Sequence, residues 1–152
     1  MFVQNSKTPA KQIATAQDVT KAELSICEGF NFNWGIVDPE KVFKLTLAET
    51  NEVIGLVALE AFDSEQRVEI RLLESSLGNV GKNKNYNRIA GCLLAHAARM
   101  AVSRYGASAA ISLVPKTILI NHYVQLYGFH IAGKSLFMEG RSLIKLLDDY
   151  GR

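Results

Sequence analysis

Apolar and polar residues alternate most cleanly at positions 43–47, where Lys44 and Thr46 separate Phe43, Leu45 and Leu47. A period of two sends alternate side chains to opposite faces, so this segment predicts a half-buried strand. Thr50, Asn51 and Glu52 supply a turn, and 53–60 follows as an almost continuous apolar strand interrupted by Gly55. A second turn at Asp63 and Ser64 leads into a strand over 67–74. There Val68, Ile70 and Leu72 share one face, and Glu69, Arg71 and Leu73 the other. The period then changes. Ile89, Cys92, Leu93, His96, Ala97, Met100 and Ala101 recur at three- and four-residue spacing, one stripe of a long helix that opens near Tyr86. Gly106 stands where its C-terminal cap belongs.

The flanks read less sharply. Residues before Gln12 carry no pattern and are expected to be frayed. A short strand over 13–16 leads to Asp18, the N-cap of a helix over 19–28 that turns Val19, Ala22, Ile26 and Phe30 inward and stops at Gly29. Residues 30–39 are irregular and aromatic. After the long helix come a buried strand over 109–114, ended by Pro115, and a helix over 117–127, stopped by Gly128. Strands at 129–132 and 136–139 turn around Gly133-Lys134, and a helix over 142–150 closes the chain. The fold class is α/β (α+β): a mixed, mostly antiparallel central sheet with helices on both faces, as one domain over 1–152. The strand–helix–strand run from Arg67 to Val114 requires one parallel pair.

Composition narrows the function. With 152 residues, 48% hydrophobic and 21% charged, the chain can bury a core without disulfides or metals. A formal charge of +2 is too mild to argue by itself for nucleic acid or an anionic membrane. The most apolar long segment, 89–102, is too short to span a bilayer and contains His96 and Arg99. The polar start is no secretory signal, so a cytoplasmic protein without a membrane partner is expected. Cys27 and Cys92 read as buried thiols, and neither they nor His96, His122 and His130 have metal-ligand spacing. No metal and no Ser/His/Asp arrangement is expected.

Three segments carry a resemblance. Ile13-Ala-Thr-Ala-Gln-Asp18 resembles the opening strand and first-helix cap of the Gcn5-related N-acetyltransferases (GNAT). Val53-Ile-Gly-Leu-Val-Ala-Leu59 is similar to that family's third strand, and the Leu-Tyr-Gly-Phe ending at Phe129 to its signature after the penultimate helix. The likeness runs from about Gln12 to Glu139. One element departs from the pattern: the family's Arg/Gln-x-x-Gly-x-Gly/Ala loop. Aligned on Leu93-Leu94, Asn85, Arg88 and Ala90 occupy its three places, and only Ala90 matches.

The resemblance implies acetyl transfer from acetyl-CoA, as co-substrate, to an amine on a small molecule or peptide. A pyrophosphate wants free N–H groups at a helix N-terminus and positive charge. Gly81, Lys82, Asn83, Lys84, Asn85, Arg88 and Ala90 are the candidates for it, with solvated surface as the competing account. Leu72 and Leu73 would line the thioester, a backbone N–H near Leu73 polarising its oxygen. Glu69 and Glu74 are candidate bases, with Glu60 third, although Glu69 can equally form an ion pair with Arg71. Tyr123 is the candidate proton donor to the leaving thiolate and Tyr127 its fallback, against a core role. The Phe30–Trp34 segment would flank the acceptor or serve as a hydrophobic lid. Two alternatives stand: a non-catalytic acyl-CoA-binding or regulatory module, and a nucleic-acid contact through 82–88, which the near-neutral charge counts against. Exposed sheet edges leave a homodimer open.

Overall fold

The computed structural model describes all residues, 1–152. The chain divides into two units, one of Met1–Ala58 with Leu72–Leu93 and the other of Leu59–Arg71 with Leu94–Arg152.

In the first unit, strand β1 (Phe2–Asn5) pairs antiparallel with β2 (Lys11–Asp18), Phe2 facing Ile13 and Gln4 facing Lys11. The N-terminus is therefore not frayed. Val3 is fully buried, and one buried residue in a polar strand is too weak a period to detect in so short a segment. Strand β2 runs through Asp18, which pairs with Phe43, so Asp18 is no cap. The cap is Thr20, whose hydroxyl accepts from the Glu23 N–H while the Glu23 carboxylate accepts from the Thr20 N–H. This reciprocal box starts a helix, α1 (Lys21–Ser25), shorter than the 19–28 expected. Leu24 is its buried residue, and Ile26 is 78% exposed. Leu24 packs with Trp34, Val42, Leu56 and Ala58.

Strands β3 (Val42–Leu47) and β4 (Val53–Phe62) form the expected hairpin, Val42 opposite Ala58, around a turn with left-handed Asn51. Strand β5 is Arg67–Ser75. Tyr86 and Asn87 are not helical, as the apolar stripe alone had suggested; they form β6 (Tyr86–Asn87), pairing with Asn5 and Gln4 of β1. Helix α2 (Ile89–Tyr105) begins two residues later. Strand order here is β6-β1-β2-β3-β4-β5. Gly55 sits under the first turns of α2: a Cβ there would lie 2.9 Å from Ile89 Cγ2 and 3.0 Å from Leu93 Cδ1.

In the second unit, β5 continues the order to β7 (Ala110–Leu113), β9 (Ser135–Glu139) and β8 (His130–Ala132). The β5–β7 pair is parallel, from Arg67 opposite Ala110 to Ile70 opposite Leu113, as the crossover requires. The pairs of β9 with β7 and β8 are antiparallel. Helices α3 (Ile120–Tyr127) and α4 (Gly140–Tyr150) complete the unit, α3 ending at left-handed Gly128. The sheet is thus mixed and mostly antiparallel, with four α-helices. No helix is long and apolar enough to cross a membrane.

Gly55→Ala is expected to destabilise the fold by about 1–3 kcal/mol, because the branched Ile89 methyl cannot withdraw without repacking. Urea denaturation measures this, and an unchanged midpoint would contradict the close approach.

Candidate active site

Beyond Ile70, β5 outruns β7, leaving Leu72–Ser75 without a β7 partner along that edge. Unpaired strand N–H and C=O groups are available to an extended ligand. Leu72 is half-buried and packs on the Leu24–Trp34 cluster; Leu73 is half-buried as well.

Glu74 is held by three donors. The Asn31 N–H reaches Oε2 at 2.6 Å, and the Phe32 N–H and Trp34 Nε1–H reach Oε1 at 3.2 and 2.9 Å. A carboxylate so occupied fixes the 31–34 segment. Trp34 is 2% exposed and meets Phe32 edge-on at 5.7 Å. The aromatic segment is therefore a lid over the Leu24 core, tied down by Glu74.

After β5 the chain turns sharply. Asn79, 5% exposed, donates to Ser76 Oγ at 2.8 Å and accepts the Tyr86 N–H at 2.9 Å. The Asn85 N–H bonds Gly78 O at 3.1 Å, closing the loop at its base. Its tip, with Gly81 at φ +77°, carries Lys82, Asn83 and Lys84, and all of these and Asn85 are exposed. A cleft of about 490 Å³ lies beside the loop, lined by apolar Ile26, Val53 and Leu77 and by Glu23, Glu28 and Glu52. Nothing in the sequence pattern had joined those segments.

Arg88 departs most from expectation. Its φ is +82°, a backbone conformation suited to glycine and costing other residues about 1–2 kcal/mol. Its guanidinium lies over the Phe2 ring, 4.0 Å from the centroid, and its Nε–H donates to Phe2 O at 3.3 Å. The first α2 bond runs from the Cys92 N–H to Arg88 O at 2.9 Å, so the N–H groups of Ile89, Ala90 and Gly91 have no acceptor within the helix. Ala90 is half-buried in this first turn. Free amides at a helix start, with the Lys82 and Lys84 cations a few residues earlier in the chain, are what an anion needs. Cys92 is buried, and burial pushes its thiol up to about 11, which leaves it protonated and unreactive at neutral pH.

Glu69 and Tyr123 belong to the second unit. The Glu69 side chain is 13% exposed and lies between two guanidiniums, Arg71 Nη1 at 2.6 Å and Arg67 Nη1 at 3.3 Å. Arg67 also donates to Ser112 Oγ at 2.8 Å and stacks on Phe62. Glu60 lies 3.7 Å from Arg71 Nε. Glu69 is thus the centre of an ion-pair chain. Tyr123 packs against Tyr127 and Phe129 at centroid distances of 5.9 and 6.0 Å. Burial pushes its phenol above the usual range, so the hydroxyl stays a proton donor. No group of three or more His, Cys, Asp or Glu is arranged to hold a metal.

No family model and no curated protein sequence matches the chain. Solved structures do. Ard1 from Thermoplasma volcanium is 14% identical, with 82% of this chain and 96% of that chain aligned at a TM-score of 0.56. AtaTR bound with AcCoA is 16% identical over 88% and 98%, at 0.61. N-acetylglutamate synthase from Neisseria gonorrhoeae, complexed with coenzyme A and N-acetyl-glutamate, is 12% identical over 85% of this chain and 35% of that chain, at 0.60. The chain has the Gcn5-related N-acetyltransferase fold. Within this fold the 75–88 loop joins β5 to α2 and ends at left-handed Arg88.

Glu74→Ala is expected to leave the buried Trp34 N–H without an acceptor, costing about 1–3 kcal/mol. Emission from Trp34, the only tryptophan, should shift to the red, and Glu74→Gln, which keeps an acceptor oxygen, should fall between. Unchanged emission and melting in Glu74→Ala would remove the lid anchor.

Proposed function

We propose that this chain transfers an acetyl group from acetyl-CoA to a primary amine, by direct attack within a ternary complex, through one acyl-CoA N-acyltransferase-like domain over 1–152. The observation that carries this reading is the β5–α2 junction: free amides at the start of α2, preceded in the chain by an exposed Gly81–Lys84 tip, in a fold shared with AtaTR bound with AcCoA.

In this reading the amides of 89–91 and the ammonium groups of Lys82 and Lys84 meet the pyrophosphate, with Asn83 and Asn85 beside it. The unpaired edge of β5 at Leu72 and Leu73 binds the pantetheine amides, and an N–H there polarises the thioester oxygen. The amine nitrogen attacks the carbonyl carbon, the C–S bond breaks, and the thiolate takes a proton that solvent restores; Tyr123 is the candidate donor that the family resemblance names. Because Glu69 and Glu74 are both engaged, the amine loses its proton to water and neither carboxylate acts as the base. Glu69 sets the charge along its strand, and Glu74 holds the aromatic lid.

A second reading, acyl-CoA binding without turnover, has its own support. Arg88 is turned onto Phe2, and both carboxylates are occupied.

Calorimetry with acetyl-CoA tests the shared step. Micromolar binding is expected, weakened roughly 10- to 30-fold in Lys82→Ala/Lys84→Ala at about 1 kcal/mol per lost cation; no binding would sink both readings. Acceptor-dependent CoA release separates them. If release occurs, Tyr123→Phe should lower kcat about 10²-fold without changing acetyl-CoA affinity. Burial raises this phenol, so any alkaline fall of the wild-type rate should lie above the usual tyrosine range, and that limb should vanish in Tyr123→Phe. An unaltered kcat would remove Tyr123 from the mechanism.

A further inference from the structure

The residues leading into α2 are held almost entirely by the first six residues of the chain. Gln4 and Asn5 pair with Asn87 and Tyr86. The Ser6 N–H donates to Asn85 O at 2.9 Å, and its hydroxyl donates to Lys84 O. Phe2 provides the last and most specific contacts. Its carbonyl accepts from Arg88 Nε at 3.3 Å and from the Cys92 thiol at 3.3 Å. Its ring carries the Arg88 guanidinium at 4.0 Å and the Lys11 ammonium at 4.6 Å.

These contacts converge on Arg88, whose φ is the most positive of the three left-handed residues that are not glycine. Arg88 has a Cβ and still adopts φ +82°. Left to itself it would favour a negative φ, turning the peptides around it and with them the amides that open α2. The Phe2 ring and carbonyl bind the side chain only where the left-handed conformation puts it. A desolvated cation over an aromatic face and a charge-assisted hydrogen bond are together strong enough to oppose that preference.

We propose that Phe2 is a positioning residue for the anion-binding turn: strand β1 holds Arg88 left-handed and so aims the free amides of α2. The inference rests on the acetyl-CoA reading for its ligand, but the brace itself is a property of the unliganded chain. Arg88 acts as the brace's handle, and the phosphate cations are Lys82 and Lys84.

The test is a double-mutant cycle between Phe2→Ala and Arg88→Gly, with Phe2→Tyr as the conservative variant. Acetyl-CoA dissociation constants are read by calorimetry, and tryptic cleavage after Lys82 and Lys84 is read on the unliganded protein. Phe2→Ala should weaken acetyl-CoA about tenfold, since the cation–aromatic contact and strained φ are each worth roughly this much. It should also speed loop cleavage several-fold, and Phe2→Tyr should restore both. Glycine takes φ +82° without strain, so in the Arg88→Gly background Phe2→Ala should change affinity less than threefold. Equal weakening in both backgrounds would show Phe2 acting through general stability, and would overturn the proposal. If the wild type binds no acetyl-CoA, the transferase reading fails, and cleavage decides the brace. Faster cleavage in Phe2→Ala that Phe2→Tyr reverses upholds it, and unchanged cleavage overturns it.

Discussion

The first turns of α2 can lie on β4 only because residue 55 has no side chain. Ile89 Cγ2 and Leu93 Cδ1 occupy the space a Cβ would take. That contact sets the height of the helix above the strand, and so where its unpaired amides emerge. The chain leaving β5 must then bridge from Ser75 to Arg88 and arrive with the right backbone direction. The loop's shape follows from the helix position and not the reverse, since its own residues are small, polar and mostly exposed.

Such a loop needs fixed ends, and the molecule supplies one at each. At the exit from β5, Glu74 is held by the Asn31–Trp34 lid, and the next residues turn over Ser76 and Asn79. At the entry to α2, β1 and β6 pair, and Arg88 folds onto Phe2. Between these ends the Lys82 and Lys84 side chains are exposed, so their ammonium groups can follow an anionic ligand at little cost. The departure from the family's loop pattern at Arg88 thus has a structural counterpart in the N-terminal strand that holds it, and buried Asn79 anchors the loop's base.

Much of this was legible in the chain. The alternation at 43–47 and 67–74, the apolar run with Gly55 and the helical stripe after Ile89 all became the expected elements, because each has a periodic buried face. What failed was non-periodic. Strand β1 has one buried residue, Val3, and is recognisable only through its partners. The helix start slipped because Tyr86 and Asn87 are spoken for by β1, a pairing across most of the unit. Asp18 looked like a cap, but Thr20 with Glu23 three residues on is the better signature, and was readable. In the site, the cationic loop could be located by composition. The engagement of Glu74 joins residues more than 40 positions apart, and the left-handed Arg88 is a backbone state that no residue type announces.

The carboxylates illustrate why residue type alone misleads about chemistry. Glu69 and Glu74 both lie on the strand that an acyl-transfer reading makes central, and either would be a plausible base from position alone. A base must exchange its proton with substrate or water, which requires a free lone pair and a proton affinity near the working pH. Two guanidiniums engage the oxygens of Glu69, and three N–H donors engage those of Glu74. Both carboxylates are therefore occupied in holding the structure around them. Tyr123 has a different setting: burial among aromatic rings raises its phenol and keeps its proton on at neutral pH. A raised phenol gives its proton to a departing thiolate against the gradient of proton affinity, so in the proposed acetyl transfer its help lies in hydrogen bonding to the developing thiolate. On that reading, with both carboxylates engaged, an amine that arrives neutral or sheds its proton to water is the acceptor that suits the site.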